Sequence, residues 1–234
     1  MPTYTHTSGA VQEHLSAALS VPFPSGIMPG NLLIVYAAVR NFNGATGITA
    51  PSGFTLLTTS SPGTNDASWV YGKIAVGDES GTVTFDTDTT TGQAAAMIRF
   101  PPPAGYVWPA IGSVLAGATE ASSAGSTTLV FAARTITANG NLIIQFGKKP
   151  SSGTITDIAV TGGFTQCIEG FGSGGFIMSY SAQYQEVSGN VAANAVTITT
   201  EATSSGTGGL TVEFTISAAV VKDMIGTGII PRGR

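Results

Sequence analysis

Apolar and polar residues alternate along several short stretches of this chain. In residues 210–216, apolar side chains occupy every second position, and Thr and Glu lie between them. Successive side chains of a strand point to opposite faces, so this pattern predicts a β-strand with one face on a core. Residues 94–100 are predicted as a similar strand, and residues 71–76 and 82–85 as two strands joined by a Gly/Asp turn. Residues 12–19 are the one stretch with plausible helical propensity, and they are equally compatible with a strand.

Two motifs recur at one spacing. GNLLI at residues 30–34 recurs as GNLII at residues 140–144, and GFT at 53–55 recurs at 163–165, a shift of 110 residues in both cases. Residues 21–23 align more loosely with 129–131, and 83–85 with 196–198. Two matches at the same shift indicate that the chain consists of two similar halves.

The prolines at 101–103 mark the boundary between these halves, since proline lacks the N–H that a strand interior requires. We therefore predict a first β half at 21–100, a Pro-rich connection at 101–110 and a second β half at 111–216. Residues 1–20 and 217–234 are predicted to be extended arms. With four or five strands each, the halves are expected to form one antiparallel, jelly-roll-like β-sandwich; two separate small sandwiches are the alternative.

The composition adds information about partners. Only 9% of the residues are charged and 42% are hydrophobic, with 31 Gly and 12 Pro, whereas about a quarter of a typical globular domain is charged. Few charges oppose association, so we expect partners to cover much of the surface, including other copies in a homo-oligomer. A net charge of −4 with scattered basic residues argues against nucleic-acid binding. The longest apolar run, residues 32–39, is too short to span a bilayer, and residues 1–6 lack a signal peptide pattern.

Residue types that carry catalysis or bind metals are sparse. Cys167 is the one cysteine, and the two histidines, His6 and His14, both lie in the predicted N-terminal arm. Nucleophilic catalysis needs a base beside the nucleophile, so we predict no catalytic residue, no metal site and no cofactor. Asp86 and Asp88 could ligate calcium, but the pattern lacks a full set of ligands and favours a solvated loop.

Two groups of residues are predicted to bind partners. Trp69, Tyr71 and Trp108 could contact a partner protein or stack on a glycan, although aromatic residues in strands are more often core. The apolar C-terminal arm could dock on a neighbour through Ile225, Ile229, Ile230, Arg232 and Arg234.

Four segments together resemble a sequence type common in bacteriophage virion proteins. They are PGNLLI at residues 29–34, APSGFTLL at 50–57, YGKIA at 71–75 and TVTF at 82–85. In that type a G-D-L-L strand is followed by a P-P-x-G-W-T turn, a Y-x-K-x-A strand and a V-T-F strand. This chain departs at Asn31 and Phe54, where the type has an acid and a tryptophan.

The resemblance implies a structural or adhesive role on a phage head or tail, without catalysis. Our first expectation is a capsid decoration or head-spike protein, made in the host cytoplasm, that binds the major capsid protein through its arms. The alternative is a tail or fibre component that binds a host surface glycan. A third possibility, a virion-associated hydrolase, is disfavoured by the shortage of histidine and of paired acids.

Overall fold

The computed structural model describes residues 2–10, 12–14, 18–40, 48–60, 66–87, 93–111, 119–121, 128–138, 140–151, 155–171, 177–187, 189–192, 194–200 and 208–219. These residues form antiparallel β-sheets and contain no α-helix, which confirms the predicted all-β sandwich class. The jelly-roll-like arrangement stays a prediction.

The first half of the described chain folds into a large and a small sheet. The large sheet has the order β1-β9-β4-β7-β6, with β2 also paired to β9, and the small sheet has the order β3-β8-β5. The strands are β1 (Thr7–Ser8), β2 (Gln12–His14), β3 (Ala18–Pro22), β4 (Leu32–Arg40), β5 (Ile48–Thr49), β6 (Thr55–Ser60), β7 (Asp66–Ile74), β8 (Thr82–Thr87) and β9 (Gln93–Phe100).

The second half also has a large sheet, of order β11-β18-β13-β16-β15, and a small sheet, of order β12-β17-β14. Outside these sheets, a short strand in the connection, β10, pairs with the last described strand, β19. The strands are β10 (Tyr106–Val107), β11 (Thr119–Ala121), β12 (Thr128–Phe131), β13 (Leu142–Ser151), β14 (Ile155–Val160), β15 (Thr165–Phe171), β16 (Ile177–Glu186), β17 (Asn194–Thr200), β18 (Gly208–Phe214) and β19 (Ser217–Ala218).

Strand order is the same in the two halves when β4 is matched to β13, β7 to β16 and β9 to β18. The described strands of each half number eight or nine, more than the four or five that the alternation predicted. The difference arises in part from residues 1–20, which were expected to be an extended arm. Here β1 and β2 pair with β9, and β3 pairs with β8, so this segment lies within the sheets of the first half.

Strand β4 shows why the longest apolar run does not alternate with polar residues. Leu32, Ile34 and Tyr36 belong to the central core, which lies between the two large sheets. Leu33 and Val35 belong to a second core, between the large and small sheets of the first half. Because packed layers cover both faces of β4, both sets of side chains are apolar.

The central core joins the two halves. Both large sheets contribute to it, and the rings of Tyr36 and Phe146 meet within it with their centroids 5.0 Å apart. These two residues are separated by 110 positions, the same shift as the repeated motifs. Two similar halves that pack through the same face are expected to bring equivalent residues together in this way. The chain is therefore a pair of sandwiches fused through their large sheets.

The outer face of the second large sheet packs closely on β12. A Cβ added to Gly209 would lie 2.8 Å from Leu129 Cδ2 and 2.9 Å from Phe131 Cε1, so glycine allows this approach. Leu19 and Val21 of the first half are buried in the same alternating way, 110 positions earlier. Residues 129–131 therefore correspond to residues 19–21 in the structure. The loose sequence alignment had matched them with residues 21–23, two positions further along the chain.

Candidate functional site

Two of the predicted binding aromatics, Trp69 and Tyr71, lie in the core. Their side chains point from β7 into the layer between the large and small sheets of the first half. Tyr71 donates a hydrogen bond of 2.5 Å from its hydroxyl to the carbonyl of Ile48. Burial raises the pKa of Tyr71 to about 12. Neither ring presents a face to solvent, so both residues hold the sandwich together.

The third aromatic, Trp108, lies at the junction of the two halves. Its indole N–H donates to the carbonyl of Phe100 at 3.0 Å, which fixes the connection against the end of β9. Its ring stacks on Tyr4, with the ring centroids 5.5 Å apart. The hydroxyl of Tyr4 in turn donates to the carbonyl of Gly140 in the second half, at 2.5 Å. Trp108 is thus a buried anchor for the N-terminal segment.

The N-terminal segment, residues 2–10, crosses the junction and contacts both halves. His6 lies between Phe100 of the first half and Tyr184 of the second, with ring centroids 6.2 and 5.2 Å away. The hydroxyl of Ser8 donates to the carbonyl of Cys167 in edge strand β15. This segment was expected to lie outside the halves, because neither its composition nor its periodicity shows what it contacts.

Burial favours the uncharged forms of three titratable groups at this junction, Cys167, His6 and Tyr4. Burial raises the pKa of the Cys167 thiol, which also donates to the carbonyl of Ala182 at 3.2 Å. Burial lowers the pKa of His6 and raises that of Tyr4. A buried neutral thiol is a poor nucleophile, so Cys167 acts as a core residue. In the described part of the chain, no group of three His, Cys, Asp or Glu side chains could hold a metal ion.

The C-terminal segment begins beside the same junction. Ser217 and Ala218 form β19 and pair with β10, and the N–H of Ala219 donates to the carbonyl of Gly105 at 2.8 Å. Val107 of β10 is 45% exposed. This pairing fixes the point from which the rest of the C-terminal segment continues. The predicted docking residues lie outside the described residues: Ile225, Ile229, Ile230, Arg232 and Arg234.

The repeated Gly-Asn motif makes the same turn in both halves. The N–H of Gly30 donates to the carbonyl of Ala75 at 2.8 Å, and the N–H of Gly140 donates to that of Val187 at 2.8 Å. Both glycines adopt a left-handed backbone conformation, with φ angles of 82° and 86°. This conformation suits glycine. We call the surface around the first turn, which includes Met28, Gly30 and Val76, the Gly30 end, and the surface around the corresponding turn of the second half the Gly140 end.

These corresponding ends differ in what covers them. Pro2 ring atoms lie 3.3 and 3.4 Å from the position of a Cβ on Gly140, beside the hydrogen bond from Tyr4. At Gly30, no described atom lies within 4 Å of that position. Met28 and Val76 of the Gly30 end are each 65% exposed. The Gly30 end is therefore an open apolar surface. It corresponds to the Gly140 end, where the second half binds the N-terminal segment.

A carboxylate orders the loop of the Gly30 end that carries Val76. Glu79 accepts hydrogen bonds from the N–H groups of Val76 and Gly77, at 2.9 and 2.8 Å, and pairs with Lys73 at 2.9 Å. Burial of the carboxylate opposes its charged form, but the Lys73 and backbone hydrogen bonds outweigh this and lower the pKa of Glu79 to about 2. The loop is thus held in one shape by a charged group.

We expect Glu79→Gln to lower the free energy of unfolding at pH 7 but to have much less effect near pH 2. The folded-state pKa of about 2 lies below the ordinary value of 4.5, so the carboxylate stabilises the fold fully above pH 4.5. This contribution is lost as the pH falls from 4.5 towards 2. Urea unfolding of both proteins at several pH values measures the effect. Glu169→Gln, at an exposed position of β15, is the control; an equal loss at all pH values would contradict the assignment.

Comparison of the chain with family models, curated proteins and solved structures gave no match. None of the described residues belongs to a helix that could cross a membrane.

Proposed function

We propose that this chain is a non-enzymatic structural protein of a bacteriophage particle, a capsid decoration or head-spike protein that docks through its C-terminal segment. The resemblance of its repeated strand and turn motifs to phage virion proteins supports the phage assignment. The fused pair of sandwiches supports a structural role, because its aromatic side chains are used in packing.

The pairing of β19 with β10 is the observation that carries the docking role. It anchors the start of the C-terminal segment, residues 217–219, at the junction of the halves. Those residues contain three basic side chains and one acidic, which leaves six of the nine basic and twelve of the thirteen acidic residues to the rest of the chain. A basic, apolar tail on an acidic body is suited to binding a surface like that body.

The glycan-binding alternative has less support. Stacking on a sugar needs an exposed aromatic face, whereas Trp69, Tyr71 and Trp108 are buried. We therefore place the contact with the particle in the C-terminal segment and not in an aromatic platform.

Deletion of residues 220–234 is expected to leave a folded protein that no longer joins the particle. The cut falls after Ala219, so that β19 and its pairing with β10 are kept. Particles grown with the truncated chain as the sole copy would be purified and the chain quantified by immunoblot against the major capsid protein. We expect incorporation to fall at least about tenfold, since one lost interface of a few kcal/mol suffices for that.

A chain in which residues 220–234 are present in scrambled order is the matched control for length and charge. Normal incorporation of the truncated chain would contradict the docking role. Immunogold labelling of wild-type particles tests the position directly, because gold on the tail instead of the head would contradict a decoration or head-spike protein.

A further inference from the structure

The Gly30 end and the Gly140 end make the same backbone turn, but within the described residues only the Gly140 end is covered by another segment. Equivalent glycines make equivalent hydrogen bonds, so the two ends offer the same backbone shape to a ligand. At the Gly140 end, that shape binds an extended segment with a proline and, two residues later, a hydrogen-bond donor, Pro2 and Tyr4. The Gly30 end thus has the shape of a binding site for an extended segment of this chemistry.

The side chains of the Gly30 end add apolar surface and one exposed acid. Met28 and Val76 are exposed, and Pro29 packs against Gly77, within 2.7 Å of the position of a Cβ there. Asp78 is exposed beside Val76, while Glu79 is already paired with Lys73. An occupant should therefore combine apolar residues with a proline and a nearby positive charge.

The C-terminal sequence of the chain has this combination. Residues 229–232 read Ile-Ile-Pro-Arg, and a further arginine follows at 234. The two isoleucines match the exposed Met28 and Val76, and the arginines supply both the donor and the charge that Asp78 would pair with. Fifteen residues follow Ala219, and an extended chain of that length reaches roughly 50 Å. The segment can therefore reach a neighbouring molecule.

We propose that the Gly30 end binds the C-terminal segment of a second copy of this chain, through residues 229–234. The inference rests on the docking role proposed above, and it identifies the surface that receives the C-terminal segment on the particle as a neighbouring copy of the same chain. The contact is heterologous, since a tail of one copy binds a different surface of the next, so it builds rings or open chains of copies instead of closed pairs.

Complementation between full-length variants tests this in solution. The acceptor variant is Met28→Asp with Val76→Asp, and the donor variant is Ile229→Asp with Ile230→Asp. By sedimentation velocity over a concentration series, the wild type should self-associate, and each variant alone should do so at least about tenfold more weakly. An equimolar mixture should form one-to-one heterodimers and nothing larger, because each variant keeps one intact surface. Circular dichroism and thermal melts show that both variants are folded.

Val130→Asp is the control, and this variant should associate like the wild type. Val130 is 54% exposed, as an apolar residue of a binding surface would be, but it lies on β12, far along the chain from the Gly30 end. A wild type that stays monomeric, an acceptor variant that associates normally, or a mixture that forms no heterodimer would each overturn the proposal. Because no particle is present, failure here leaves the proposed particle function to its own test. Loss of incorporation together with failed complementation would assign the tail to a different virion protein.

Discussion

Replacing Phe146 with alanine is expected to lower the free energy of unfolding by about 3–5 kcal/mol, the range found for aromatic residues removed from a core. Phe146 is fully buried in the central core, and its ring contacts Tyr36 of the other half. The resulting cavity lies between two sheets, neither of which can close it without moving a whole half. Urea unfolding followed by circular dichroism measures the change.

The matched control is Val130→Ala, because an exposed valine should change stability by no more than about 0.5 kcal/mol. Combining Phe146→Ala with Tyr36→Ala isolates the contact across the junction, for which we expect a coupling of about 0.5–1.5 kcal/mol. Strictly additive effects would show that the two rings do not stabilise each other, and a loss below about 1 kcal/mol for Phe146→Ala would contradict a shared core.

Gly209→Ala is expected to destabilise the protein by about 1–3 kcal/mol, although alanine is ordinarily better than glycine in a strand. The new Cβ would approach Leu129 Cδ2 and Phe131 Cε1 within 2.8 and 2.9 Å, and the carbonyl oxygen of Phe146 at 3.0 Å. Both side chains are fully buried and the third neighbour is backbone, so relief requires the small sheet to move. Thermal and urea unfolding measure the loss.

Gly189→Ala provides the comparison, because no described atom lies within 4 Å of the Cβ position there. We expect this variant to be neutral or slightly stabilised, as alanine reduces the conformational entropy of the unfolded chain. If Gly209→Ala proved as stable as Gly189→Ala, the close packing of β12 on the large sheet would be wrong.

Local sequence was enough to predict the strand class and to match Gly30 with Gly140, because alternation and repeated motifs can be read directly along the chain. It could not show how many layers cover a strand. Residues 94–100 were predicted as a strand with one face on a core, but Ala94 and Ala96 lie in the central core and Ala95 lies in the second core, so β9 is buried on both faces. The pairing of β1 and β2 with β9 joins residues 79–92 positions apart, for which the N-terminal sequence carries no signal.

For the candidate site residues too, local sequence did not show which surfaces would cover them. Trp69 and Tyr71 lie two residues apart and therefore on one face of β7, and the sequence does not show that the small sheet covers this face. Trp108 was singled out for its place in the Pro-rich connection, and the structure shows it at the junction, as an anchor for Tyr4. The importance of Met28 and Val76 emerges only when the two corresponding ends are compared, because each lies in turn-rich sequence that resembles any exposed loop.

The hydrogen bond from Tyr4 to Gly140 also constrains the order in which the protein folds during synthesis. The two residues are 136 positions apart, and at ribosomal rates that stretch of chain takes on the order of ten seconds to make. Until the second half emerges, the N-terminal segment lacks its final contact, and the first large sheet keeps Ile34, Tyr36 and Ile98 uncovered. The nascent first half therefore exposes an aggregation-prone apolar face for several seconds. During this period, chaperones or rapid translation of the second half would protect it from aggregation.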